Sequence, residues 1–142
     1  MLNQKLLVSG AEFFADDFKI NPYYGGDAIN QAKAIAEHKA ILGCFKQAGI
    51  ELVKVDAPAD CQDGVYTANW AITKNGKAVM SRLPQARKAE EPYAKQQLQK
   101  LGYEIYEVPN NLMFSGQGDS LRCGNYLFAG SGYRSEPEAQ KF

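Results

Sequence analysis

The chain has 142 residues, of which 45% are hydrophobic and 23% are charged, and it carries 16 basic and 16 acidic side chains. This composition predicts a single globular domain and excludes disordered, collagen-like and disulfide-scaffold proteins. A net charge of zero argues against a nucleic-acid partner, because phosphate backbones attract clustered positive charge. No apolar run approaches the ~20 residues of a membrane span, and the first five residues lack a signal-peptide pattern, so no membrane partner is expected.

The first half of the chain predicts a strand, a helix and a second strand. Residues 5–9 form a short apolar run that is typical of a strand. Residues 27–48 predict the clearest helix, with Asp27 as its N-cap and Gly49 as its terminator. Alternation of apolar and charged side chains over residues 50–55 indicates the next strand.

The middle of the chain predicts two strands, a helix and a further strand. Residues 63–73 are rich in β-branched and aromatic side chains and favour a long strand. Asn75-Gly76 is a hairpin signal, since both positions tolerate positive φ, and residues 77–81 are the returning strand. A helix over residues 89–101 and a strand over 103–108 follow.

The order of hairpin, arginine-bearing loop and helix occurs at residues 65–101 and begins again at residues 120–138. We therefore predict an α/β fold of repeated ββαβ units that stack on one another. Ser135 and Glu138 have capping-box spacing, which is a helix-start signal. Because the sequence stops at Phe142, we expect one domain over residues 1–142 that ends inside a third repeat unit.

Cysteine and histidine usage limits the chemistry. Three cysteines without a CxxC spacing suit a reducing compartment, from which we expect a cytoplasmic protein. One histidine excludes mechanisms that need two imidazoles and nearly every zinc site, so neither a metal nor an organic cofactor is expected. His38 lies on the apolar face of the predicted helix with no nucleophile near it in sequence, which indicates a half-buried structural histidine.

Polar side chains lie at or near the ends of successive predicted strands. Where ββαβ units stack around an axis, such ends converge on a central cavity. Carboxylate and amide oxygens suit a planar cation with several donors, and arginines suit a carboxylate. The candidate residues for a pocket that binds a guanidinium-bearing amino acid are Asn21, Asp63, Asn69, Arg87, Asp119 and Arg134. The alternative for each is local turn chemistry, or for Arg87 a surface pair with Glu90 or Glu91.

Four ordered motifs resemble those of the pentein superfamily of guanidine-modifying enzymes, especially its arginine-dihydrolase or amidinotransferase-like branch. They are Asp63-Gly64-Val65-Tyr66-Thr67-Ala68-Asn69, Arg87-Lys88-Ala89-Glu90, Phe114-Ser115-Gly116-Gln117-Gly118-Asp119 and Ala129-Gly130-Ser131-Gly132-Tyr133-Arg134. The resemblance covers nearly all of this chain but only the N-terminal half of a typical member. It implies about half of a five-bladed α/β propeller. It also implies that Asn21, Asn69 and Asp119 hold a guanidinium or line its site, while Arg87 binds the substrate carboxylate.

Two departures from the family pattern bear on catalysis. Family members use a cysteine near their C-terminus and a histidine in the third or fourth blade, but this chain has no histidine after His38 and no cysteine after Cys123. No catalytic residue is therefore expected within it. In addition, Ser115 stands where the family loop carries a glutamate that supports the histidine, and serine supplies no negative charge.

Three interpretations remain open at this stage. The chain is the N-terminal part of a hydrolase or transferase acting on arginine or a related guanidine compound, a catalytically inactive binding or interaction module, or a truncated fragment. The first and third imply a missing C-terminal half or self-association, because half a propeller exposes a sheet edge.

Overall fold

The computed structural model describes residues 4–20 and 28–142. The chain divides into two compact units, Leu2–Thr67 and Ala68–Phe142. The predicted site residue Asn21 and the predicted helix cap Asp27 lie outside the described residues.

The first unit is a parallel strand pair joined by a helix. Strand β1 (Lys5–Val8) pairs in parallel with β2 (Glu51–Lys54), and Lys5 lies opposite Glu51. Helix α1 (Gln31–Gln47) forms the crossover that a parallel pair requires. The predicted strand–helix–strand order is therefore confirmed.

Helix α1 begins later than its sequence predicts. Asn30 is the N-cap, and its side-chain oxygen accepts a hydrogen bond from the Lys33 amide at 2.9 Å. An amide cap satisfies one of the helix's unpaired N–H groups, which stabilises that starting point. The other end agrees with the prediction, because Gly49 follows the helix with a φ of +76°. His38 is half-buried, also as predicted.

The prediction of a long strand over residues 63–73 is wrong for its first part. The Gly64 amide bonds to the Cys61 carbonyl at 3.0 Å and the Tyr66 amide to the Asp63 carbonyl at 2.9 Å, so the backbone turns here. A 3₁₀ helix follows at Thr67–Asn69, and the Thr67 hydroxyl donates to the Leu7 carbonyl at 2.8 Å. These turn and side-chain bonds override the β propensity of the segment, which is a weak and context-dependent preference.

The second unit contains one complete ββαβ unit. Strand β3 (Ala71–Lys74) pairs antiparallel with β4 (Lys77–Met80), which pairs in parallel with β5 (Glu104–Glu107). Helix α2 (Glu90–Lys100) connects β4 to β5. The hairpin turn is as predicted, with Asn75 at φ +50° and Gly76 at φ +75°.

The predicted repeat begins again with a second hairpin. Strand β6 (Ser120–Cys123) pairs antiparallel with β7 (Tyr126–Ala129). Its large apolar side chains are exposed, from Leu127 at 57% to Tyr126 at 74%. The capping-box spacing at Ser135 and Glu138 is followed by a 3₁₀ helix at Ala139–Lys141, and the Ser135 hydroxyl donates to the Asp119 carboxylate.

The described residues form sheets of two, three and two strands, which confirms the α/β class. The number of propeller blades stays a prediction. No helix among the described residues is long and apolar enough to cross a membrane.

A network of charged side chains ties Arg82, two residues after β4, to α2 and β5. Arg82 donates from Nε to the Val108 carbonyl at 2.7 Å, and its terminal nitrogens pair with Glu91 at 3.4 Å and Glu107 at 3.1 Å. Lys95 on α2 also pairs with Glu107. Hydrogen bonds from Lys95 and then from Arg82 hold the pKa of Glu107 below its ordinary value.

The Glu107→Gln substitution tests this network through its pH dependence. The folded-state pKa of Glu107 is depressed. Its contribution to folding stability is therefore complete above the unfolded-state pKa of about 4.3 and is lost as pH falls through the folded-state pKa. At pH 7 we expect the variant to be less stable than wild type by at most ~1 kcal/mol, with a correspondingly lower melting temperature. On acidification we expect its melting temperature to fall less than that of wild type. Thermal melts between pH 7 and pH 3 measure both effects. The matched control is Glu37→Gln on α1, whose exposed pair with Lys33 spans 3.8 Å, and equal acid sensitivity of the two variants would contradict the prediction.

Candidate functional site

Asn69 lies at the end of the short 3₁₀ helix that replaces the predicted strand. Its side chain is buried, and Nδ2 donates to the Ser115 carbonyl at 3.4 Å. This bond connects the chain just before β3 to the loop that precedes β6. Two motifs separated by more than forty positions in the sequence are thus in contact.

Two glycines allow the loop at residues 115–119 to lie against its neighbours. Gly116 has a φ of +54°, and a Cβ there would lie 2.8 Å from the carbonyl of Ala71 and from the Ser81 hydroxyl. A Cβ on Gly118 would lie 2.1 Å from Nδ2 of Asn69. The loop contains a short 3₁₀ helix at Gly116–Gly118 and leads directly into strand β6. The spacing of these glycines follows from close packing, because any side chain would occupy space already filled.

The carboxylate of Asp119 is held at both oxygens. The Ser135 hydroxyl donates to Oδ2 at 2.8 Å, and the Arg134 guanidinium pairs with Oδ1. The Arg134 side chain is 42% exposed, whereas Ser135 is buried at 1%. Asp119 therefore combines one part-buried hydrogen bond with one ion pair whose arginine is half-exposed.

Arg87 belongs to a second, neighbouring cluster. Its Nε and one terminal nitrogen bond to the two oxygens of Glu90 at 2.6 and 2.7 Å. The Trp70 indole N–H donates to the same carboxylate at 3.0 Å. All three residues are buried, so the predicted surface pair between Arg87 and Glu90 is wrong in its location although right in its partners. Because Trp70 directly follows Asn69, the backbone links this cluster to the loop at residues 115–119.

The structure groups the predicted site residues only in part. Asn69, Asp119 and Arg134 meet around one loop, and Arg87 lies in the adjoining cluster. Asp63 belongs to the first unit, where it is buried and accepts a hydrogen bond from the Gln62 side chain at 3.3 Å. Among residues 4–20 and 28–142 there is no group of three or more histidine, cysteine or acidic side chains that could hold a metal ion.

Sequence reasoning missed Ser135 and Trp70. The capping-box spacing assigned Ser135 to a helix start, and its position directly after Arg134 is the only signal that connects it to the site. Trp70 is the single tryptophan and directly follows Asn69, which could have drawn attention to it. The sequence predicts Glu90 only as a surface partner of Arg87 and gives no sign of its buried bond to Trp70.

His38 lines a separate groove in the first unit. This groove has a volume of about 580 Å³, and neither of the first unit's cysteines contributes to its lining. The acidic and basic side chains that line it with His38 are Glu12, Lys39, Lys54 and Asp56. Without a thiol beside the imidazole, the groove has no pair of groups for nucleophilic catalysis by cysteine.

The Gly118→Ala substitution tests the close approach of the loop to Asn69. The added methyl group forces Asn69 or the loop to move, and we expect a loss of about 1–3 kcal/mol in the free energy of unfolding. Thermal or urea unfolding measures this loss. Gly43→Ala is the matched control, because a Cβ at Gly43 meets nothing within 4 Å and alanine favours the helix, so that variant should gain up to ~1 kcal/mol. Equal stabilities of the two variants would contradict this packing.

The Glu90→Ala substitution tests the buried cluster. It removes the carboxylate shared by Arg87 and Trp70, and breaking a buried pair in this way costs about 3–5 kcal/mol. Urea unfolding measures the change, with Glu37→Ala on α1 as the control because that exposed pair is worth well under ~1 kcal/mol. A Glu90 variant as stable as its control would show that the cluster contributes little to folding.

Comparison with known proteins agrees with these motifs. The family model of eukaryotic N,N-dimethylarginine dimethylhydrolases matches residues 12–130. The bifunctional arginine dihydrolase/ornithine cyclodeaminase ArgZ of Synechocystis is 34% identical over 145 residues, which is 97% of this chain and 20% of that protein. The N(G),N(G)-dimethylarginine dimethylaminohydrolase of Mycobacterium tuberculosis is 28% identical over 89% of this chain and 42% of that protein.

The fold agrees as well. A crystal structure of the N-terminal domain of ArgZ bound to product superimposes with a TM-score of 0.93 at 30% identity, over 98% of this chain and 52% of that domain. The chain thus spans about half of that domain and one fifth of the full-length cyanobacterial relative. These matches confirm the pentein resemblance, and the chain belongs to the dimethylarginine dimethylhydrolase family of that superfamily.

Proposed function

We propose that this chain forms the guanidine-binding part of a hydrolase or transferase that acts on arginine or a related compound. The observation that carries the proposal is the contact between Asn69 and the loop that ends at Asp119. Since Nδ2 of Asn69 donates to the Ser115 carbonyl, we assign its other polar atom, the acceptor Oδ1, to the ligand. An amide oxygen beside a carboxylate matches the several N–H donors and the positive charge of a guanidinium. Asn21 and Asp63 stay predicted members of the binding set.

The two arginines are assigned to the substrate carboxylate. Glu90 fixes the guanidinium of Arg87 by two hydrogen bonds, which orients it before a ligand arrives. Arg134 pairs with Asp119, but a half-exposed ion pair of this kind is worth at most ~1 kcal/mol and exchanges readily. A substrate guanidinium would replace Arg134 at Asp119 and leave Arg134 available for the carboxylate.

The reaction class rests on the relatives, one an arginine dihydrolase and the other a dimethylarginine dimethylaminohydrolase. Family enzymes attack the guanidinium carbon with a cysteine thiolate assisted by a histidine. Neither a histidine after His38 nor a cysteine after Cys123 occurs in these 142 residues. In this proposal both catalytic groups come from outside this sequence.

The proposed fold is about half of a five-bladed α/β propeller, built as one domain over residues 1–142. The complete unit from β3 to β5 and the hairpin β6–β7 support this arrangement. The exposed apolar side chains of β6–β7 support its completion by a C-terminal half or by self-association. The three cysteines form no disulfide among the described residues, which fits the proposed cytoplasmic location.

Ser115 favours a second candidate, a guanidine-binding module without catalysis. Its side chain is buried, and its hydroxyl donates to the Arg134 carbonyl at 3.4 Å. A neutral hydroxyl in place of the family glutamate supplies no charge to a catalytic histidine. Both candidates share the binding site and differ in turnover.

Isothermal titration calorimetry with L-arginine and L-ornithine tests the shared binding site. We expect arginine to bind more tightly than ornithine, which lacks the guanidinium group. Asp119→Asn should weaken arginine binding by about 10- to 100-fold, because it removes the charge from a charge-assisted hydrogen bond worth ~1.5–3 kcal/mol.

The control is Asp60→Asn in the first unit. Asp60 is exposed with a φ of +57°, a conformation that asparagine tolerates, so arginine affinity should not change. Equal affinity for arginine and ornithine, or an unchanged affinity in Asp119→Asn, would overturn the proposed binding site. The coding sequence beyond Phe142 separates the two candidates, since a continuing frame without histidine and cysteine rules out the enzyme.

A further inference from the structure

The hydroxyl of Ser135 has its hydrogen-bond directions fixed by its neighbours. The Ser115 backbone N–H can only donate, and it lies 3.0 Å from Ser135 Oγ, so this oxygen accepts there. A serine hydroxyl has a single proton, and the Asp119 carboxylate at 2.8 Å is an acceptor for it. The proton of Ser135 is therefore directed at Oδ2 of Asp119.

The segment that carries Ser135 is itself held against the loop. The Glu136 amide donates to the Met113 carbonyl at 3.0 Å, and the Met113 amide donates to the Glu136 side chain at 2.6 Å. The Gly132 amide also bonds to the Ser135 carbonyl at 2.8 Å. Ser135 thus connects the beginning of the loop, at Ser115, to its end, at Asp119.

The two partners of Asp119 differ in how easily they exchange. Arg134 is half-exposed, whereas Ser135 is 1% exposed and its bond to Asp119 is part-buried. A part-buried bond to a charged group is stronger than a surface ion pair, because water competes less for it. An arriving cation would therefore displace Arg134 from Oδ1 while Ser135 keeps Oδ2 in place.

We propose that Ser135 is a positioning residue that fixes the orientation of the Asp119 carboxylate toward a bound guanidinium. This inference rests on the proposed function, since it assumes that Asp119 meets the ligand. The hydroxyl acts through Asp119 and does not itself touch the guanidinium. It also works through the backbone N–H of Ser115, so it does not depend on which side chain occupies position 115.

The test compares arginine with citrulline by calorimetry in wild type, Ser135→Ala and Ser135→Thr. Citrulline has the same carbon skeleton but a neutral ureido group, so the ratio of the two affinities reports how well the carboxylate recognises charge. We expect Ser135→Ala to weaken arginine binding by about tenfold and to lower the arginine-to-citrulline ratio. Ser135→Thr keeps the hydroxyl and should restore both values toward wild type. A purely structural role would lower the melting temperature without changing this ratio.

Ser81→Ala is the matched control. Ser81 is also 1% exposed, and its hydroxyl has no hydrogen-bond partner among the described residues. Its removal should leave arginine affinity unchanged and leave the melting temperature unchanged or raised, since no bond is lost. If Ser135→Ala fails to fold, Ser135→Cys replaces the strong donor with a weak one of similar size and should bind arginine less tightly.

The outcomes separate this inference from the proposed function. Weakened binding in Asp119→Asn together with wild-type affinity and ratio in Ser135→Ala, or in a folded Ser135→Cys, would overturn the role of Ser135 alone. Wild-type affinity in Asp119→Asn would overturn the proposed function. Loss of arginine affinity in Ser135→Ala that Ser135→Thr reverses would support both.

Discussion

The close approach of the loop at residues 115–119 to Asn69 is the constraint on which the candidate site depends. A glycine at position 118 lets the loop reach the Asn69 amide, and Gly116 lets it pass Ala71 at the start of β3. Once the loop is held there, Asp119 reaches both Ser135 and Arg134. Close packing therefore determines where the Asp119 carboxylate lies. The loop takes this path because only glycine, which lacks a Cβ, fits at its two closest contacts.

Burial divides the charged groups of the second unit into two classes. Arg87 and Glu90 are enclosed with Trp70 and form a fixed arrangement, since separating a buried pair leaves an uncompensated charge. Arg134 and the network around Arg82 and Glu107 are more exposed and are held more weakly. A rigid anchor beside an exchangeable ion pair suits a site in which a charged ligand must replace an internal partner.

The sequence predicted the elements whose signals are local. The turn at Asn75-Gly76, the end of α1 at Gly49 and the order from β3 to β5 follow from side-chain preferences within a few residues. It failed at residues 63–70, where turn bonds and the contact of Thr67 with Leu7 outweigh the strand propensity of the segment. It also failed at Ser135, because spacing alone does not reveal that a distant carboxylate competes for the hydroxyl.

The sequence by itself determined the family, the α/β class and the types of side chain available for a guanidinium, since motif order and residue chemistry are properties of the chain. Only the tertiary structure decided which of those side chains meet. Asn69, Asp119 and Arg134 are joined by contacts across dozens of positions, and Arg87 is enclosed by a carboxylate and an indole. Such partners depend on packing between elements, and the energy of a buried polar group depends on what surrounds it in space.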